Sequence, residues 1–177
     1  MDAMDLKTFE EAYPPWLEKR RGDLEAADWK AAFSDYPFPV NVETPWTPLA
    51  KPLNGSRVMV LTTAGLYLKG KQPPFRAEDI EGDWTYRELP DAAGAEDLAI
   101  AHTHYPHDAA NQDLNAVYPL DRLRELAAEG VIAGTASRHL SISGYCTRPD
   151  LLVRETIPEL LRSLETDPPD VVLHIPV

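Results

Sequence analysis

The sequence predicts an α/β protein: a mostly parallel open sheet with helices on both faces, preceded by a helical, proline-rich N-terminal arm. Three observations predict it. Val58–Leu61, Leu98–Ala101 and Val171–Ile175 are short runs, apolar throughout, with the length and continuity of strands buried on both faces. Helical stretches alternate with them, at Pro119–Glu129 and from Pro149 onward, as crossover connections in a parallel sheet require. Before residue 55 the texture differs, because Pro14, Pro15, Pro37, Pro39, Pro45, Pro48 and Pro52 each fix φ and remove a backbone donor. The chain therefore divides into an arm over residues 1–52 and an α/β domain over 53–177.

In the arm, helical stretches are expected at Leu6–Tyr13, Trp16–Gly22 and Leu24–Phe33, with Pro14-Pro15 separating the first two. An extended segment follows from Tyr36 to Pro52. Its aromatic residues, together with those just before it, are expected to clamp the arm onto the body: Trp29, Phe33, Tyr36, Phe38 and Trp46. In the domain, Pro119–Glu129 sets Leu120, Leu123 and Ala127 on one stripe and stops at Gly130, a helix C-terminal signal. Val131–Ser143 supplies another strand. The last helical stretch carries Leu151, Leu152, Leu160, Leu161 and Leu164, with Pro158 breaking it in two.

Composition narrows the function. With 177 residues, 44% hydrophobic and 26% charged, the chain has enough material for one real core. A net charge of -12 repels phosphate backbones and anionic lipid, which argues against nucleic acid and membrane as partners. Lys19-Arg20-Arg21 is flanked by Glu18 and Asp23 and reads as a solvated helix face. The acidic start is unlike a signal peptide, and no apolar run nears the roughly 18 residues a membrane span needs, so a cytoplasmic location is expected. Cys146 is the single cysteine, in keeping with a reducing compartment.

Open parallel sheets bind ligands beyond the carboxyl ends of their strands. After the first strand stand Thr62 and Thr63, two hydroxyl donors, and Gly65, which allows close backbone approach; a plain polar turn has the same composition. After Leu98–Ala101 comes His102-Thr103-His104-Tyr105-Pro106-His107-Asp108, three of the five histidines within six residues. Alternation along an extended backbone puts His102 and His104 on one side, where they could share a ligand, a proton or a metal; bonding to loop backbone is the plainer alternative. His102, His104 and His107 have spacing that resembles the zinc signature of metallo-β-lactamase-like hydrolases. Pro106 stands where that signature has its aspartate, and proline can neither ligate nor act as a base, so no metal is expected. Asp108, Asn111, Asp113 and Asn115 continue the polar segment as substrate-binding candidates, although Asp113 and Asn115 equally suit turns and helix caps.

Five segments in order, Pro45-Trp46-Thr47-Pro48-Leu49, Val60–Leu66, Gly82–Arg87, the histidine segment, and Asp113-x-Asn115-x-Val117-x-Pro119-x-Asp121-Arg122-Leu123, carry a family likeness. From about Pro45 to its end the chain resembles the selenoprotein B subunits of glycine, sarcosine, betaine and D-proline reductases. The resemblance implies reductive C–N cleavage of a small amine or amino-acid-like substrate by a selenocysteine or cysteine nucleophile, restored by a dithiol electron donor, in company with a second reductase subunit. It implies Thr62, Thr63 and Gly65 as donors to a substrate carboxylate, and His102 or His104 for proton delivery to the leaving amine. In such subunits the nucleophile follows the strand matching Val171–Val177, so it is expected just after Val177. Cys146 lies in a loop with no second cysteine and does not replace it. The chain itself is then expected to hold no cofactor, to be inactive alone and to self-associate, either because its selenocysteine codon is read as a stop or because it is a genuine short paralogue or a trimmed chain. A non-catalytic binding or scaffold paralogue is the first alternative. A metal-dependent hydrolase using His102, His104 and His107 is the second.

Overall fold

The computed structural model describes residues 5–40 and 46–177; what the sequence suggests for residues 1–4 and 41–45, Pro45 included, lies outside the described residues. In chain order the elements are α1 (Leu6–Glu25), α2 (Trp29–Ala32), β1 (Arg57–Thr62), β2 (Leu66–Leu68), β3 (Tyr86–Pro90) and β4 (Leu98–Ile100). They continue with α3 (Asp108–Gln112), α4 (Leu120–Ala128), β5 (Gly134–Thr135), β6 (Arg138–Ile142), α5 (Pro149–Leu151), α6 (Ile157–Leu164) and β7 (Val171–Ile175). The main sheet has β1 at its centre. Strand β7 pairs with it in parallel along one whole edge, Val58 opposite Val171 through Thr62 opposite Ile175. Strands β5 and β6 therefore share the other edge, Val58 facing Thr135 and Leu61 facing Leu140, both in parallel. Strand β3 closes the sheet, antiparallel to β6. This is the α/β class the sequence predicts.

The two parallel pieces do not join in register. Between the Val58–Thr135 and Leu61–Leu140 pairs the partner strand gains residues, and the backbone N–H of Val60 finds no strand carbonyl. His139 fills the gap: its Nδ1 accepts from Val60 N at 3.0 Å, and its Nε2 faces Asp91 Oδ1 at 3.1 Å. The ring is fully buried. The single strand expected over Val131–Ser143 is thus two strands completed by a side chain, since a buried N–H must be paired.

One sheet face carries Val58 and Val60, packed with Leu66, Leu98 and the α4 residues Leu120 and Leu123. Helix α4 ends before Gly130, whose φ of +74° is the left-handed stop that the glycine signalled. The opposite face carries Met59 and Leu140, covered by Leu160 and Leu164 of α6. Each such apolar side chain contributes about 1.5–3 kcal/mol on full burial. Pro158 does not break this last helix: α5 and α6 are joined by a π-helical stretch, Leu152–Thr156, and the wider turns absorb the proline.

Helix α1 also departs from expectation. It runs unbroken through Pro14 and Pro15, with Asp5 as N-cap accepting from Thr8 N at 2.8 Å. A proline inside a helix costs about 3 kcal/mol. Here Phe9, Tyr13, Trp16 and Leu24 form one buried face against Ala32, and that packing outweighs the local penalty. Trp29, Phe33 and Tyr36 do clamp this unit, each packed edge-on or tilted against the rings of Trp16 or Tyr145. Trp46 does not; it is 88% exposed, and Phe38 is mostly exposed too. Tyr13 ties α1 to the domain by donating to Glu81 Oε1 at 2.9 Å and pairing with Thr147 Oγ1 at 2.8 Å.

Leu98–Ile100 is a strand, but not one of the parallel sheet. It pairs antiparallel with β2 in a separate two-stranded ribbon, Leu66 opposite Ile100. A three-residue apolar run encodes burial without encoding its partner. No helix among the described residues is long and apolar enough to cross a membrane.

Candidate functional site

The carboxyl ends of β1, β6 and β7 lie side by side, because all three strands run parallel. Thr62 ends β1 facing inward. Its hydroxyl donates to Val117 O at 2.7 Å and accepts from Ala64 N at 3.2 Å, and the residue is fully buried. The hydroxyl expected to meet a substrate is therefore committed to the fold. Thr63, one residue on, turns the other way: its Oγ1 accepts from Val177 N at 2.8 Å, and its N–H donates to Ile175 O at 3.1 Å.

Gly65 has a different task from donation. Its N–H is given to Ile142 O at 3.0 Å and its carbonyl accepts from Ala101 N at 2.9 Å. Its φ is +69°, and a Cβ there would stand 2.6 Å from Ala101 O and 3.1 Å from His102 Cβ. The glycine lets the segment leaving β4 close onto the end of β1. This contact brings the histidines to the parallel strand ends although β4 belongs to the other ribbon.

His102 is buried, 4% exposed. Its Nδ1 accepts from the His104 backbone N–H at 3.0 Å, so in the neutral ring the proton sits on Nε2. That Nε2 is buried without a hydrogen-bond partner. Burial, with the neighbouring His104 and His107 adding to it, lowers the imidazole pKa to about 4, and the ring is neutral at pH 7. The ring of His104 lies 5.7 Å from that of His102, nearly perpendicular, so the two are adjacent as alternation suggests. His104 stacks flat on Tyr145 at 3.8 Å and meets Trp29 edge-on at 4.6 Å. Burial lowers its pKa as well, while Glu78 pulls the other way.

The remaining predicted residues disperse. Asp108 opens α3 and is exposed. Asn111 lines, with His107, Leu66, Lys69 and Ile100, a cleft of about 470 Å³ between α3 and the ribbon. Asp113 and Asn115 form a cap: Asp113 Oδ1 accepts from Asn115 N at 2.9 Å and from Asn115 Nδ2 at 2.8 Å, and Asn115 Oδ1 accepts from Asp121 N at 3.1 Å at the start of α4. His102, His104 and His107 do not gather into a ligand set; among the described residues no three His, Cys, Asp or Glu side chains could hold a metal ion. Burial pushes the Cys146 thiol up to about 11, which leaves it protonated and unreactive at neutral pH.

Two residues escaped the sequence reading. Gly144 follows β6, and a Cβ on it would stand 3.1 Å from both His102 Nε2 and Thr63 O and 3.2 Å from Thr63 Oγ1. Tyr145 holds His104 and anchors itself by donating to Ile80 O at 2.7 Å. The only signal was their position: Ser143–Cys146 follows a strand, as the threonine turn does. The likeness segment Gly82–Arg87 packs beside them. A Cβ on Gly82 would collide with Tyr145 O, and buried Asp83 accepts from Arg76 N and Thr85 N at 2.9 and 2.8 Å.

Fold and site together define an α/β protein with polar groups gathered at the carboxyl ends of parallel strands. Residues 26–167 match the family described as glycine/sarcosine/betaine reductase selenoprotein B, and the chain belongs to that family. It is similar to the D-proline reductase subunit gamma of Acetoanaerobium sticklandii, 30% identical over 144 residues covering 81% of this chain and 58% of that protein. It is also similar to the glycine reductase complex component B subunit gamma of Symbiobacterium thermophilum, 32% identical over 101 residues, 56% of this chain and 23% of that one. The sarcosine reductase complex component B subunit beta of Peptoclostridium acidaminophilum is 29% identical over 120 residues, 64% of this chain and 26% of that one. The chain thus spans 58% or less of the length of these relatives. No solved structure matches it significantly.

Proposed function

We propose that the chain is the substrate-facing part of a component B subunit in a reductase of the glycine, sarcosine, betaine or D-proline type, which cleaves a C–N bond of a small amine or amino-acid-like substrate reductively. Family membership supports the class of reaction. The observation that carries the site is His102, a buried ring whose unpartnered Nε2 stands beside Thr63 and Gly144 at the strand ends. In this reading Thr63 and His102 donate to substrate oxygens, while Thr62 and Gly65 build the turn that holds them. Proton delivery to the leaving amine falls to His104, the less buried of the two rings. Asn111, in its separate cleft, and Asp108, Asp113 and Asn115 support the segment rather than touch the reacting bond.

Two-electron cleavage needs a nucleophilic selenium or sulfur. The raised pKa of Cys146 disqualifies the one thiol of these residues. The reading therefore places the selenocysteine or cysteine centre, the dithiol donor that recharges it and a second reductase subunit outside these 177 residues. The same observation favours a second reading, a paralogue that binds and does no chemistry.

Calorimetric titration with glycine, sarcosine, betaine and D-proline, followed by assay of reductive C–N cleavage by the complete gene product with dithiothreitol, separates the two; cleavage releases ammonia or a methylated amine from the three acyclic compounds and opens the ring of D-proline to 5-aminopentanoate. The expected result is binding of at least one compound by the 177-residue chain without turnover, and one C–N bond cleaved per dithiol oxidised by the complete product. Binding without C–N cleavage by either would favour the paralogue. Binding of none of the four would refute both.

A further inference from the structure

We infer that the cleft between α3 and the β2–β4 ribbon is a binding site for a short aliphatic carboxylate, Lys69 pairing with its charge while Ala99, Ile100 and Leu114 receive its tail. The cleft shares no residue with the strand-end site and goes beyond the reductase reading. Its volume of about 470 Å³ falls within the range of small-molecule sites, about 300–1,000 Å³. Its walls are open to a ligand: Lys69, Asn111 and Gln112 are exposed, and Ala99, Ile100 and Leu114 are half-buried.

Charge decides the class of ligand. The chain carries a net charge of -12, yet no Asp or Glu lines this cleft, and Lys69 is its one side chain of fixed charge. Four other clefts each have at least one carboxylate in their walls. Lys69 has no carboxylate partner among the described residues. Its Nζ donates to the backbone oxygen of Glu96 at 3.0 Å, while the Glu96 carboxylate lies back over Gly94, so two of the three ammonium protons are left for a ligand. Arg148 and Arg154, in the cleft beside α1, are by contrast held by Glu81 and Asp150 and by Glu10. The amides of Asn111 and Gln112 add neutral N–H donors to the same walls. One ammonium among neutral amides matches a monoanion, and a zwitterionic amino acid would bring a second ammonium with no carboxylate to receive it. Ala99, Ile100 and Leu114 give a hydrocarbon tail apolar surface to cover, which a bare anion would not use.

The test is NMR of the ¹⁵N-labelled chain at pH 7 and constant ionic strength, titrated with sodium butanoate, sodium hexanoate and, as control, hexylammonium chloride. The expected result is a saturable set of hexanoate shifts centred on Lys69, Ile100 and Ala110–Gln112, and none there with hexylammonium. Butanoate should bind about tenfold more weakly than hexanoate, because each buried methylene is worth about fourfold in affinity. Lys69→Met keeps the apolar stem, removes the charge and should weaken hexanoate about fivefold or more. Asn111→Asp, which puts a carboxylate into the wall, should weaken it as well. Both side chains are exposed, so both variants should keep the wild-type spectrum away from the cleft. Hexanoate shifts that are absent or lie elsewhere, equal binding of hexylammonium, equal affinity for butanoate and hexanoate, or unchanged hexanoate affinity in either variant overturns the inference. Because the cleft and the strand ends share no residue, any of these results leaves the reductase reading to its own assay of C–N cleavage.

Discussion

Replacing Gly65 with alanine probes the contact that brings the histidine segment to the strand ends. Two costs arise. The left-handed backbone, φ +69°, disfavours alanine by about 1 kcal/mol. The new Cβ would then stand 2.6 Å from Ala101 O, far inside van der Waals contact, against backbone held by the Ala101 N to Gly65 O bond at 2.9 Å. Moving that backbone weakens a hydrogen bond worth about 1 kcal/mol and adds overpacking of about 1–3 kcal/mol. The sum is a loss of roughly 2–5 kcal/mol, a large share of the stability of a domain this size. Gly70 is the control, since its φ is +68° and its Cβ would meet nothing within 4 Å. Gly70→Ala should cost only the backbone part, about 1 kcal/mol. Urea unfolding followed by dichroism, with midpoints and slopes compared for the two variants, measures the difference directly. Equal losses would refute the claim that Gly65 is there for close approach. A large loss only in Gly65→Ala, with the His102 ¹⁵N signals displaced, is the expected result.

Four other outcomes are expected. His102 has a folded pKa of about 4 against 6.5 unfolded, so the unfolded chain binds more protons between those values and stability falls as pH drops from about 6.5 toward 4. At pH 5 the wild type should lose about 2 kcal/mol more, relative to pH 7.5, than His102→Gln, and parallel urea midpoints for the two proteins would contradict this. His139→Leu strands the Val60 N–H in the core and should cost about 2–4 kcal/mol, whereas His139→Asn keeps an acceptor near Nδ1 and should recover about half; equal costs in urea unfolding would remove the ladder-completing role. Cys146, its thiol pushed up to about 11, should react with iodoacetamide at pH 7 at least about tenfold more slowly than a cysteine peptide, and a peptide-like rate would show it to be accessible and ionised. Among the described residues strand β7 pairs on one side only, and Val172 is 48% exposed, so the chain should associate in light scattering as concentration rises and less so as Val172→Lys; a monomer at every concentration would count against this.

The parts of the fold legible in the sequence are those decided by neighbours along the chain. Val58–Leu61 and Val171–Ile175 read as strands because continuous apolar runs of that length fit a sheet covered on both faces. Helix α4 read correctly because its stripe and its stop at Gly130 lie within a few residues of each other. Pro14 and Pro15 misled because the local penalty was visible and the compensating aromatic face, completed by Ala32, was not. Trp46 misled for the converse reason: an aromatic side chain offers burial, and only a cavity to receive it delivers burial. Within the site, Thr62 and Thr63 are adjacent residues of one type, yet the pleat sends one hydroxyl to Val117 and leaves the other at the strand ends.

By itself, the sequence determined the α/β class, the central and last strands and the family, because periodicity, punctuation and motif order are local properties. Only the tertiary structure decided which strand pairs with which, that Leu98–Ile100 belongs to a separate ribbon, and that His102 meets Thr63 and Gly144 from segments some 40 residues to either side in the chain. It also decided that His139 completes a ladder. The physical reason is the same in each case. Pairing, burial and the direction of a lone pair depend on what arrives from elsewhere in the chain, and close packing settles that only when the whole chain has folded.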